Sequence, residues 1–125
     1  MSNVPSNLQY SKDHEWVDSS GGATVKIGIT DYAQSALGDI VYVQLPKVGD
    51  SVKEGAVCGE VESTKSVSEI FSPVTGKVVA VNNNLDSAPE TLNSDPYGAG
   101  WIFEVEVTSP ASDLLDSAAY SALIS

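Results

Sequence analysis

The chain has 125 residues, 13.1 kDa, and a formal charge of −11 that leaves six lysines and no arginine against seventeen carboxylates. One domain of this size buries its own core without a metal or disulfide. The charge repels nucleic acid and anionic membrane surfaces, and the single cysteine and single histidine exclude an intrachain disulfide, a cysteine zinc site, a dithiol redox centre and a paired-histidine metal site.

Taken in chain order, the N-terminal segment shows no apolar h-region and no arginine-rich amphipathic stretch, and no apolar run approaches membrane-spanning length. Lys12-Asp13-His14-Glu15-Trp16 reads as a polar turn with Trp16 anchored in the core. Period-two patterning between Gly, Pro and Asn punctuation predicts short strands over 15–17, 23–28, 39–44, 51–53, 57–63, 66–71, 76–81 and 101–107. Thr30 caps a short helix running through Ala33 and Leu37, with Gly38 as its stop. Ser87 and Glu90 form a capping box over a single turn ending by Asp95-Pro96. Ser109-Pro110 opens a C-terminal helix with Leu114, Leu115, Ala118, Ala119 and Leu123 on its docked face. An all-β sandwich with short helices and a C-terminal helix accommodates these elements.

Lys65 stands out within this frame. It lies in Val61-Glu62-Ser63-Thr64-Lys65-Ser66-Val67, at the reversal between two strands, with Cys58 as a small buried residue of the entering strand. A lysine on a polar turn is usually a solvated charge. Val48-Gly49-Asp50-Ser51-Val52 and Val74-Thr75-Gly76-Lys77-Val78 echo one another, with Lys65 midway between them, so two similar halves would place Lys65 at the far end of a sandwich. No G-x-S-x-G elbow, phosphate-cradling glycine loop or H-E-x-x-H motif offers a catalytic alternative.

Four blocks then occur in one order. They are Tyr10-Ser11-Lys12-Asp13-His14-Glu15-Trp16-Val17; Gly28-Ile29-Thr30-Asp31-Tyr32-Ala33-Gln34 with Leu37-Gly38-Asp39-Ile40-Val41; Gly59-Glu60-Val61-Glu62-Ser63-Thr64-Lys65-Ser66-Val67-Ser68-Glu69 with Ser72-Pro73-Val74-Thr75-Gly76; and Asn93-Ser94-Asp95-Pro96-Tyr97-Gly98 with Gly100-Trp101. Together they resemble the H proteins of the glycine cleavage system over nearly the whole chain. The departures are Thr64, where valine is frequent, and Tyr32, at a variable position.

The resemblance implies a lipoyl/biotinyl-type β-sandwich (a barrel-sandwich hybrid) in which residues 1–125 form a single lipoyl-type domain with N- and C-terminal extensions and a lipoyl hairpin near 57–71. It implies lipoate in amide linkage to Lys65, with Glu62, Gly49 and Gly76 read by a lipoate ligase or lipoyl/octanoyl transferase. It implies a cleft for the loaded arm bordered by Glu15, Asp13 and Glu69. The implied partners are glycine decarboxylase (P protein), which uses pyridoxal phosphate, the folate-dependent aminomethyltransferase (T protein) and the flavoprotein dihydrolipoyl dehydrogenase (L protein). The protein would be a non-catalytic carrier shuttling the aminomethyl group of glycine, in a bacterial cytoplasm or, as a processed form, in a mitochondrial matrix. Two alternatives stay open: a lipoyl or biotinyl domain of another multienzyme system, and a protein that relays lipoyl groups. Against the first, Thr64 and Ser66 flank the lysine where biotinyl hairpins carry methionine.

Overall fold

The computed structural model describes residues 3–20, 22–109, 111 and 114–124. Nine strands and four helices follow in the order β1 (Gln9–Tyr10), β2 (Glu15–Asp18), β3 (Thr24–Ile29), α1 (Asp31–Leu37), β4 (Ile40–Gln44), β5 (Ser51–Val52), β6 (Val57–Ser63), β7 (Val67–Phe71), β8 (Thr75–Val81), α2 (Asn84–Ser87), α3 (Thr91–Ser94), β9 (Phe103–Ser109) and α4 (Ser117–Ile124). They form a six-stranded sheet, β1-β2-β3-β9-β8-β5, and a three-stranded sheet, β4-β6-β7. Every named pairing is antiparallel. The predicted β-sandwich is therefore the architecture observed, with two sheets that do not close on one another.

Alternation explains the layers. Val25, Ile27, Val105 and Phe103 of one sheet and Val43, Val61 and Ile70 of the other are buried in one cluster, while Lys26, Glu104 and Glu106 interleave on the outer side. Leu85 of α2 and Leu92 of α3 complete that core. A second cluster, Leu8, Tyr10, Trp16 and Tyr120, ties the N-terminal strands to α4. Trp16 lies opposite Gly28 across β2 and β3, and a Cβ at residue 28 would come within 2.6 Å of the indole. Only glycine leaves room there, so the ring can lie over the sheet and donate to Pro96 O at 2.9 Å.

Helix α1 begins and ends as its sequence predicts. Thr30 Oγ1 accepts from Ala33 N at 3.2 Å, and Gly38 terminates the helix at φ +87.

Three predictions about the other helices need correction. Ser87 closes α2, donating to Asn84 O, and Glu90 precedes α3 without a side-chain cap, so two separate turns replace the predicted capping box. The C-terminal helix starts at Ser117, after Leu114 and Leu115; Leu115 instead exchanges backbone hydrogen bonds with Tyr10, 2.8 and 2.7 Å. Ala118, Ala119 and Leu123 are exposed, and the docked residue is Tyr120, because its ring stacks on Tyr10 and offers more area than the small residues beside it. Pro110 lies outside the described residues. The strand β1 and the partial rather than full burial of Cys58 also differ from expectation.

Candidate lysine hairpin and arm cavity

Strands β6 and β7 pair from Val57↔Phe71 to Glu62↔Val67, and residues 63–66 turn the chain. Ser63 shapes that turn: its Oγ accepts from Lys65 N at 3.2 Å and Ser66 N at 3.1 Å, and its backbone N–H donates to Ser66 O at 2.8 Å. Thr64 N donates to Asp39 O at 3.0 Å, so the tip rests on the segment that follows α1. Lys65 is exposed, and its stem crosses Gly38: a Cβ on that glycine would lie 3.1 Å from Lys65 Cε. Asn93 fixes the floor of this arrangement, donating to Gly38 O and Gln34 Oε1, both at 2.9 Å, and accepting from Ile40 N at 2.9 Å.

Beside the hairpin lies a cavity of about 310 Å³ lined by Asp13, His14, Glu15, Ile29, Tyr32, Ala33, Ala36, Leu37, Val61, Ser68, Glu69 and Ile70. Its walls come from the turn before β2 and the first residue of β2, from the end of β3, from α1 and from β6 and β7. The three carboxylates singled out in the sequence, Asp13, Glu15 and Glu69, thus border one space. Leu37, one of the lining residues, directly precedes the glycine crossed by the Lys65 stem.

Glu15 is only 2% exposed. Its Oε1 accepts from Ser11 Oγ at 2.5 Å, its backbone N–H donates to the same oxygen at 3.0 Å, and Oε2 accepts from Phe71 N at 3.4 Å. Burial outweighs these hydrogen bonds and raises its pKa to about 8, which favours the neutral carboxylic acid at pH 7. It is not a surface acceptor flanked by solvent. His14, at φ +70, has its pKa lowered, burial exceeding the upward pull of Asp13. Burial also raises the Cys58 thiol to about 12, which leaves it unreactive.

The remaining predicted residues fall elsewhere. Glu62 lies across from Tyr42 and Val67 on the three-stranded sheet, close to the turn. Gly76 belongs to β8 of the other sheet, opposite Val52, and Gly49 lies in the turn before β5, its N–H donating to Val78 O at 2.8 Å. Each has a local reason to be glycine. Gly49 turns at φ +97, and a Cβ on Gly76 would approach Glu106 O to 2.1 Å. The sequence reading missed Ser11, the partner of Glu15, and set aside Tyr32, which lines the cavity. Ser11 stands two positions before Asp13, but nothing in the pattern shows that its hydroxyl turns back.

Among the described residues no group of three or more metal-ligating side chains occurs, and no helix is long and apolar enough to cross a membrane. The family model described as glycine cleavage H-protein matches residues 8–125. The glycine cleavage system H protein of Mycobacterium bovis is 57% identical over 118 residues, covering 94% of this chain and 88% of the relative. That of Mycolicibacterium smegmatis is 54% identical over 129 residues, covering 99% and 98%. The crystal structure of a glycine cleavage system H protein from Mycobacterium marinum superposes with a TM-score of 0.89 at 45% identity, covering 95% of this chain and 97% of that one. The chain belongs to the glycine cleavage H-protein family, the lipoyl carriers of the glycine cleavage system.

Proposed function

We propose that Lys65 carries the lipoyl group in amide linkage and that the cavity beside it receives the loaded end of the arm. The observation that carries this reading is the adjacency of the two: Lys65 lies across Gly38, and Leu37, one residue earlier, lines the cavity. Bound there, the group supplies a disulfide that takes up an aminomethyl group as it is reduced, on an arm of roughly 14 Å by bond-length counting.

The chain's own residues then do the holding. An amine entering the cavity meets the neutral Glu15 acid, which can pass it a proton and keep it as an ammonium–carboxylate pair; a nearby cation lowers a carboxyl pKa. Asp13 and Glu69 add negative charge at the opening. Tyr32, Ala33, Ala36 and Leu37 exclude water from the carbon bearing the amine. In this reading residues 1–125 are one lipoyl-type domain and the protein is a non-catalytic carrier in the cytoplasm, serving the P, T and L proteins in turn. Glu62, which stands beside the turn, is read by the lipoate ligase or lipoyl/octanoyl transferase. Gly49 and Gly76 serve the same recognition through the fold of β5 and β8.

Lys65→Arg retains the charge and removes the acylatable amine. Intact mass after incubation with lipoate and a lipoate ligase should show one lipoyl group on the wild type and none on the variant. Modification that persists in the variant, or maps to Lys53 or Lys77, removes the assignment.

A further inference from the structure

The C-terminal helix touches the cavity wall through one hydroxyl. Tyr120 is fully buried, its ring stacked on Tyr10 with centroids 4.7 Å apart and planes 12° from parallel. Its Oη lies 2.7 Å from Thr30 Oγ1 and 2.9 Å from His14 Nδ1. Thr30 is also fully buried, and its Oγ1 already accepts from Ala33 N. The Thr30 hydroxyl hydrogen needs an acceptor, and among the described residues Tyr120 Oη is the one within bonding distance. Any other direction strands a buried donor, the costly outcome in a protein interior. Thr30 therefore donates to Tyr120, and the Tyr120 hydrogen is left for His14 Nδ1. An imidazole that accepts at Nδ1 keeps its single proton on Nε2.

The surroundings agree. The turn holding His14 is closed by Ser11 N to Glu15 O at 2.8 Å and His14 N to Ser11 O at 3.2 Å, which fixes the residue at a φ of +70 that few side-chain-bearing residues adopt. The ring faces Tyr32 at 4.9 Å between centroids. The titratable groups around it are Asp13 and Glu15 from its own turn, Tyr32 from α1, Glu69 from β7 and Tyr120 from α4.

We infer that Tyr120 is a positioning residue for the arm cavity: relaying the Thr30 hydroxyl hydrogen bond, it holds His14 as a neutral imidazole, so that an arriving ammonium meets carboxylates and no rival cation. The inference rests on the cavity reading above. The lowered His14 pKa is in keeping with it. A histidine that charged here would compete for Glu15, Asp13 and Glu69. The amine would then be released sooner: water adds its oxygen to the carbon, which leaves as formaldehyde, the nitrogen leaves as ammonia and the sulfur returns to a thiol.

Because the chain has a single histidine, its ring nitrogens give one unambiguous ¹⁵N NMR signature. In the unmodified wild type Nδ1 should resonate as the unprotonated nitrogen and Nε2 as the protonated one. Tyr120→Phe keeps the stack on Tyr10 and removes the hydroxyl; its ring signals should average toward mixed tautomers, with the protonated-to-neutral ratio raised about 2- to 10-fold, the range that one ordinary hydrogen bond supplies. In the lipoylated, aminomethyl-loaded variant, the acid-side inflection of formaldehyde release should lie at higher pH than in the wild type, by about 0.3–1 pH unit, the equivalent of that ratio. Leu123→Ala, at an exposed position of the same helix, should change none of these. A proton on Nδ1 in the wild type overturns the inference whether or not any variant folds. Wild-type ring signals that ignore loading of the arm overturn the cavity reading and this inference together. Signals that respond to loading, with Tyr120→Phe unchanged in tautomer and pH profile, leave the cavity standing and overturn the role of Tyr120 alone.

Discussion

At the scale of single residues, Glu15 makes folding and the role proposed for it in the cavity pull in different directions. Its pKa is raised from 4.5 to about 8, so below about pH 4.5 both folded and unfolded chains hold the proton and nothing is lost. Between about 4.5 and 8 the folded state holds more protons than the unfolded one, and stability must fall as pH rises through that window. Glu15→Gln removes the titration. The stability advantage of Glu15→Gln over wild type should therefore grow by on the order of 3 kcal/mol from pH 5 to pH 8, read from urea unfolding at both pH values. His14, whose lowered pKa acts in the opposite sense, is present in both proteins and cancels in the difference. A pH-independent difference would mean that Glu15 is ionised in the fold. Gly28 carries a second residue-scale prediction. A Cβ there meets the Trp16 indole at 2.6 Å, and Gly28→Ala should cost about 1–3 kcal/mol by overpacking, with the Trp16 fluorescence shifted as its hydrogen bond to Pro96 O is lost.

At the scale of elements, α1, α3 and the hairpin act as one unit joined by Asn93. Asn93→Ala strands Ile40 N and frees Gly38 O, which should lower stability by about 1–3 kcal/mol. It should also speed hydrogen exchange at Thr64 N, whose acceptor Asp39 O lies on the freed segment. Unchanged protection at Thr64 would separate the tip from α3. The two glycines singled out in the sequence, Gly49 in the turn before β5 and Gly76 in β8, make a related point. Gly76→Ala forces a Cβ onto Glu106 O and should unpair β8 locally, so a slower ligation in that variant is expected together with a lower Tm. How far these elements could be read beforehand depended on their length and contacts. Strands β3, β6, β8 and β9 alternate over six or seven residues and announce themselves, while the two residues of β1 carry no period. The face of α4 was misread because its docking rests on one aromatic stack to Tyr10, more than a hundred residues away in sequence, whereas periodicity weighs only local neighbours. Asp13, Glu15 and Glu69 were reached through family motifs. The Ser11–Glu15 and Tyr120–His14 bonds have no such signature, since hydroxyls of this kind are common and their partners are set by folding.

For the whole molecule, the distribution of charge matters more than its total. Lys26 and Lys77 lie on the six-stranded sheet, Lys26 over the Trp101 ring at 5.1 Å and Lys77 across from Ser51 and Glu106. Strands β4, β6 and β7 contain no lysine at all but carry Glu60, Glu62 and Glu69, with Glu60 directly opposite Glu69. Lys65 is thus the one lysine of the β6–β7 hairpin, and acylating its amine takes the formal net charge from −11 to −12 while leaving strands β4, β6 and β7 purely acidic. If Lys65 carries the arm as proposed, a partner enzyme has to approach this face, and a complementary basic rim would steer the encounter over roughly 10 Å at 0.1 M salt. The apparent KM of dihydrolipoyl dehydrogenase for the lipoylated protein should therefore rise as ionic strength climbs from low to physiological values. Glu60→Gln combined with Glu62→Gln should flatten that dependence, whereas Glu104→Gln combined with Glu106→Gln on the other sheet should preserve it. Equal flattening by both pairs would show that net charge alone steers docking, and a KM indifferent to salt in the wild type would show that the acidic face takes no part.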